Sequence, residues 1–196
     1  MTTTILAALA AVFALTDWWA TWEGRRRVRY VTKPAVLALL VVIAATIEPF
    51  DDTVRTWMVV GLVLSLLGDI FLLGHVAYVV AMQQAPRSVP WTLVGLVVVL
   101  VSVATVGRRI VAGVGDLGEK ELVPAVVAYL VVISAMVVSA FGTMAPWAIA
   151  GAMLFYASDA TLAWNRFLEE RRFGPLAVMV TYHLGQAGLV AWLVTG

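Results

Sequence analysis

The amino-acid sequence predicts an all-α membrane protein, a polytopic bundle of about eight transmembrane helices in a single domain spanning residues 1–196. Three observations predict it. Hydrophobic residues fill 62% of the 196 positions and charged residues only 13%, against roughly 45–50% and 25% in a soluble domain. Apolar runs long enough to cross about 30 Å of hydrocarbon as helices recur from end to end, with no room for a soluble domain between them. The basic residues cluster at the ends of these runs rather than along one face. With a formal net charge of only +1, that placement encodes orientation and leaves no footprint for nucleic acid.

The runs place spans near residues 2–22, 32–47, 55–73, 91–106, 121–141, 146–164 and 174–194, with a short apolar piece, 74–82, left over. The first run lacks a basic leader and ends on Trp18, Trp19 and Trp22 just before Arg25, Arg26 and Arg27. It reads as a retained first span with an interfacial aromatic belt rather than a cleaved signal. Asp17 is expected at that interface, its carboxylate reaching the headgroups. Lys33 precedes Pro34, which suits the first turn of the second helix. The absence of cysteine excludes a disulfide framework, a thiolate metal site and a thiol nucleophile.

The leftover piece is decided by counting Lys and Arg, which accumulate in cytoplasmic loops. If 74–82 continues the third span, the chain has seven spans and its 13 basic residues divide almost evenly between the two sides. If it is a shortened fourth span, eleven of them (Arg25, Arg26, Arg27, Arg29, Lys33, Arg108, Arg109, Lys120, Arg166, Arg171 and Arg172) share one side, and only Arg55 and Arg87 lie opposite. Eight spans with both termini outside the cytoplasm are therefore expected, in a bacterial inner (plasma) membrane.

A shift of 90 residues lays positions 34–43 onto 124–133 with eight of ten identical, and pairs Gly61 with Gly151 and Asp69 with Asp159. This predicts a parallel internal repeat of four helices, with halves 1–86 and 87–196, as some transporter folds have. His183 follows Asp159 by 24 residues, whereas His75 follows Asp69 by only 6. The shortfall falls where the fourth span is short.

Ionisable residues inside spans are expensive, and each is a functional hypothesis. Asp69 and Asp159 lie well inside apolar runs, each after a small residue that lets another helix approach. In the eight-span topology both sit in the cytoplasmic half at similar depth, which makes a carboxylate pair geometrically feasible. His75 and Tyr78, three apart, share a helix face. Tyr182 and Gln186, four apart, share one on the last span, with His183 about 100° round. Asn165 and Arg166 follow Asp159 toward the surface, where the arginine could meet a lipid phosphate or anchor the helix.

Five motifs carry a family resemblance: Thr32-Lys-Pro, Gly68-Asp-Ile-Phe-Leu, Gly74-His-Val-Ala-Tyr, Ser158-Asp-Ala-Thr-Leu-Ala-Trp-Asn-Arg-Phe and Thr181-Tyr-His-Leu-Gly-Gln. Together, from about Arg29 to the C-terminus, they resemble the YhhN family, the lysoplasmalogenases that include the animal transmembrane protein 86 enzymes. The resemblance implies an eight-span protein that hydrolyses the vinyl ether bond of lysoplasmalogens, releasing a fatty aldehyde and glycerophosphoethanolamine or glycerophosphocholine. It implies Asp69 and Asp159 as catalytic residues, with Lys33, His75, Tyr78, Asn165, Tyr182 and Gln186 lining the site. The chain departs from the family where the Gly-Asp and His motifs nearly abut, without the usual intervening loop, and where Gly74 replaces a more usual alanine.

Two carboxylates suit this chemistry, since proton transfer to the alkene carbon creates an oxocarbenium ion that the second carboxylate stabilises. Lys33 or Arg166 would hold the headgroup phosphate. A lipid substrate is the expected partner, with no cofactor and no metal, and oligomeric state is not legible. Competing readings are a proton-coupled lipid or small-molecule transporter, which also uses intramembrane aspartates and repeats, a metal hydrolase on Asp69, Asp159, His75 and His183, and a purely structural membrane subunit.

Overall fold

A computed structural model describes residues 2–67 and 71–196. Among these, the chain forms eight helices: α1 Thr2–Trp22, α2 Arg26–Thr46, α3 Asp52–Leu66, α4 Phe71–Gln84, α5 Val89–Asp116, α6 Val123–Gly142, α7 Pro146–Phe167 and α8 Gly174–Thr195. Five helical segments (α1, α2, α5, α6 with its leading turn, and α8) are long and apolar enough to cross a membrane. No strand occurs among the described residues, and helices are the form in which a span pairs most of its backbone polar groups internally, as a lipid environment requires.

The leftover apolar piece is a helix in its own right. α4 doubles back along α3, with Tyr78 against Gly61 and Gly74 against Ser65, so it does not continue the third span and the seven-span reading is excluded. At 14 residues it is about 21 Å long, short of the hydrocarbon thickness. A methyl at Gly74 would stand 2.8 Å from Ser65 Oγ and 3.0 Å from the Gly61 carbonyl. The hairpin is too tight there for alanine without a shift, which accounts for the glycine.

Three expected boundaries move. α3 ends at Leu66, well before residue 73, and begins at Asp52 because Asp51 caps it, its carboxylate accepting from the backbone N–H groups of Thr53 and Val54 at 2.7 and 2.9 Å. α5 runs ten residues beyond 106, through a π turn at Val103–Gly107 and past Arg108 and Arg109. Long cationic side chains can reach the surface while the backbone stays helical. α2 begins at Arg26, so Pro34 lies inside the helix rather than in its first turn. Membrane helices tolerate such a proline.

Two glycines end helices on the arginine-rich side, Gly24 after α1 and Gly118 after α5, with φ of 67° and 80°, where a side chain would be strained. α8 is the centre of the bundle and packs on α1, α2, α3 and α7. In its apolar window 61% of residues are buried, against 11% in that of α5, which marks α5 as peripheral and lipid-facing. The α7–α8 contact is made through glycine: a methyl on Gly151 would lie 2.8 Å from the Leu189 nitrogen and 2.9 Å from the Gly185 carbonyl. Backbones in such contact gain dispersion energy that no apolar driving force supplies inside lipid.

Candidate active site

The close α7–α8 seam sets the site. It brings Asp159, in the cytoplasmic-expected half of α7, within reach of Tyr182 of α8, while His75 and Tyr78 of α4 and Tyr129 of α6 meet the two helices from the other side. Asp159 is buried at 7% exposure and His75 at 0%. His75 Nε2 lies 3.2 Å from Asp159 Oδ2, and the Tyr129 hydroxyl donates to the same oxygen at 2.6 Å. One carboxylate oxygen of α7 thus gathers groups from two other helices, α4 and α6. An aspartate at this depth is tolerable only when so partnered.

Aromatic rings hold the His75 imidazole in place. Phe155 and Tyr129 meet it edge-on, with centroids at 4.9 and 5.4 Å. Phe155 also packs against Tyr78 and Tyr182. The Tyr78 hydroxyl donates to Gln186 Oε1 at 2.6 Å, with Ser65 Oγ at 3.5 Å. Five sequence-predicted residues, Asp159, His75, Tyr78, Tyr182 and Gln186, therefore form one connected buried cluster around Phe155.

The remaining predictions divide. Asp69 lies outside the described residues. Lys33 sends its amine over the Tyr182 ring, 5.4 Å from the centroid, within electrostatic reach of both Asp17 and Asp159. Arg166 is exposed and lies over Phe167. Asn165 acts on its own loop, where its side-chain carbonyl accepts from the backbone N–H of Arg171 at 3.3 Å and braces the chain after α7. Neither Lys33, Asn165 nor Arg166 lines the cavity that reaches Asp159.

That cavity, about 50 Å³, lies between α5, α6 and α7, and Asp159 and the tyrosines Tyr129 and Tyr156 are its polar side chains. Its α5 wall is the π turn, through Val106 and Gly107. Such turns recur at functional sites because they widen a helix locally. Among the described residues no group of three or more His, Asp or Glu side chains could hold a metal; His183 instead accepts from the Trp18 indole N–H at 3.0 Å.

Two buried polar arrangements near the cluster were not legible in the sequence. Tyr129 is one of the two mismatches in the repeated ten-residue segment, standing opposite Leu39, and that mismatch was the available signal. Asp17 is not an interface residue. It is fully buried, and its Oδ1 accepts from Thr32 Oγ1 at 2.7 Å. The residue faces α2 rather than the headgroups, a choice made by helix packing that its position near the tryptophans does not reveal.

An all-helical integral membrane protein with a buried carboxylate, imidazole and tyrosine cluster between its helices is the class these features define. Residues 28–193 match the model of the YhhN family, and the chain belongs to that family. Two curated relatives, each named lysoplasmalogenase, come from Mycobacterium bovis and Mycobacterium tuberculosis. Each is 31% identical over 154 residues, an alignment covering 68% of this chain and 58% of the relative. The chain thus spans less than two thirds of the length of these relatives. No solved structure matches it.

Proposed function

We propose that the protein is a membrane-embedded lipid hydrolase that cleaves the vinyl ether bond of lysoplasmalogens, with Asp159 as one of its two acid–base carboxylates and Asp69 as the other. The observation that carries the reading is the convergence of Tyr129 and His75 on one oxygen of a buried Asp159 that borders a small, mostly apolar cavity. A carboxylate held by other helices keeps a defined position for proton transfer, the geometric requirement for general acid–base catalysis. The relatives' name and the family membership support the same chemistry.

In the proposed reaction one aspartic acid protonates the alkene carbon remote from the ether oxygen. The resulting oxocarbenium ion is stabilised by the other carboxylate, which directs water to the cationic carbon and takes up its proton. The hemiacetal then collapses to the fatty aldehyde and the free glycerol hydroxyl, so the net reaction consumes one water. His75 orients the Asp159 carboxylate, and Lys33, lying between Asp17 and Asp159 in its electrostatic contacts, balances the charge of the cluster. The site faces the cytoplasmic half of the inner membrane in this reading, from the arginine-rich ends of the helices.

The test is aldehyde release from a lysoplasmalogen by purified, detergent-solubilised protein, comparing wild type with Asp69→Asn and Asp159→Asn after each is shown to be folded. Loss of turnover in both variants is expected. Full activity in Asp159→Asn, or a folded wild type that releases no aldehyde, overturns the assignment.

A further inference from the structure

Beside the cavity that holds Asp159 the bundle is open toward the bilayer. α5 packs along α6 and meets α7 chiefly near its C-terminal end, where a methyl on Gly113 would stand 2.6 Å from the Phe167 carbonyl. Above that closure the two helices enclose a groove of about 850 Å³. Its walls are small, Ala104 on α5 and Ala157 and Ala160 on α7. It shares Val106 and Ala160 with the cavity that holds Asp159, so the groove and the cavity adjoin at these two side chains.

The groove is cationic at one end. Arg108, Arg109 and Arg171 all line it, and none makes an ion pair with a carboxylate among the described residues. Arg171 lies over Trp164, its guanidinium 4.8 Å from the ring, while Asn165 holds its backbone. A cation over an aromatic face is held by the ring while its N–H groups can still donate to another partner. The Trp164 indole N–H, on the same wall, is out of solvent and has no hydrogen-bond partner among the described residues. Arg108 lies about 28 Å along α5 from Val89, the depth at which hydrocarbon gives way to headgroups.

We propose that this groove is a phospholipid site that admits a single-chain phospholipid sideways from the bilayer, its phosphate held by Arg108, Arg109 and Arg171. Planar guanidinium forks match phosphate oxygens in pairs, and small walls leave room for a chain between the helices without a cavity sealed from lipid. The phosphate then marks the headgroup boundary and the glycerol spans the distance to the Val106–Ala160 constriction, which presents the first chain atoms to Asp159. The groove replaces Lys33 and Arg166 as the phosphate site. The direction of the chain rests on the reading of Asp159 as catalytic; the phosphate site does not.

The test therefore reads binding apart from turnover. A saturated 1-alkyl lysophosphatidylethanolamine, which has no vinyl ether to cleave, and the matching uncharged 1-alkylglycerol are titrated against purified protein in detergent, with bound lipid counted by native mass spectrometry. The Arg108→Gln/Arg109→Gln double variant should lose at least about tenfold in affinity for the lysophospholipid and little for the alkylglycerol, about 1.4 kcal/mol of selectivity. Arg171→Gln should act the same way, and the Arg108→Lys/Arg109→Lys pair, which keeps the charge, should retain part of the binding. Equal weakening of both lipids would mean that the arginines only anchor the helix, and unchanged lysophospholipid binding would leave them no role; either result overturns the proposal. Competition by glycerophosphate as strong as by the lipid would overturn the lipid as occupant. Wild-type binding of the alkyl lipid without aldehyde release from the vinyl ether lipid would separate failure of the hydrolase reading from failure of this one.

Discussion

The Tyr129 hydroxyl donates to Asp159 Oδ2 across 2.6 Å, from α6 to α7, at the oxygen that His75 of α4 also reaches. Three helices therefore share one carboxylate oxygen, and the position of that carboxylate is set by side chains far apart in sequence. A hydrogen bond to a charged group is worth about 1.5–3 kcal/mol, enough for its loss to be visible in turnover. Each link can be cut separately.

Tyr129→Phe removes the hydroxyl and keeps the ring against His75. Aldehyde release should fall roughly 10–100-fold while the melting temperature in detergent moves little. Turnover within about twofold of wild type would mean that Tyr129 serves only to satisfy Asp159.

His75 is fully buried between two aromatic rings, so His75→Ala both breaks the contact and opens a cavity. Destabilisation of about 2–4 kcal/mol is expected in denaturant or thermal unfolding. His75→Gln fills more of the space and can still hydrogen-bond, so it should recover most of the stability and less of the activity. Equal recovery of both would make His75 a packing residue.

Thr32→Val leaves the shape of α2 unchanged and strips buried Asp17 of its partner hydroxyl. The cost should be about 1–3 kcal/mol in thermal unfolding. An exposed Asp17 would give a change within about 0.5 kcal/mol.

Gly151→Ala tests the seam on which the site stands. The added methyl meets backbone of α8 rather than a yielding side chain, so the helices must part, costing about 1–3 kcal/mol. Because Asp159 and Gln186 lie on the two sides of that seam, turnover should drop with the melting temperature. A stable variant with normal turnover would show that the seam yields without disturbing the cluster.

Chelation offers a check on the carboxylate chemistry. Treatment with a strong chelator followed by desalting should leave aldehyde release unchanged, whereas loss restored by a divalent cation would reinstate a metal-dependent route through Asp159 and His75.

Much of this architecture was legible in the sequence because it follows from local chemistry. Hydrocarbon thickness turns apolar runs into spans, and the distribution of Lys and Arg favoured a separate fourth helix, which α4 is. Asp159, His75, Tyr78, Tyr182 and Gln186 were visible as polar groups whose cost inside lipid demands partners. Helix ends were less legible: Arg108 and Arg109 read as a boundary, yet α5 runs on to Asp116, since a charge on a flexible stem does not stop a helix.

Which faces meet was decided only by the tertiary structure. In water, an apolar stripe tells a helix which side goes inward; in a bilayer the lipid-facing side is as apolar as the buried one, and that signal disappears. Nothing local could place Tyr129 against Asp159, turn Asp17 inward onto Thr32, or gather Arg108, Arg109 and Arg171 around one groove. The groove depends on Gly113 letting α5 close on the end of α7, just as Gly151 lets α7 close on α8. The sequence determined that this is a membrane bundle with charged groups needing partners; the packing of small residues determined which partners they found.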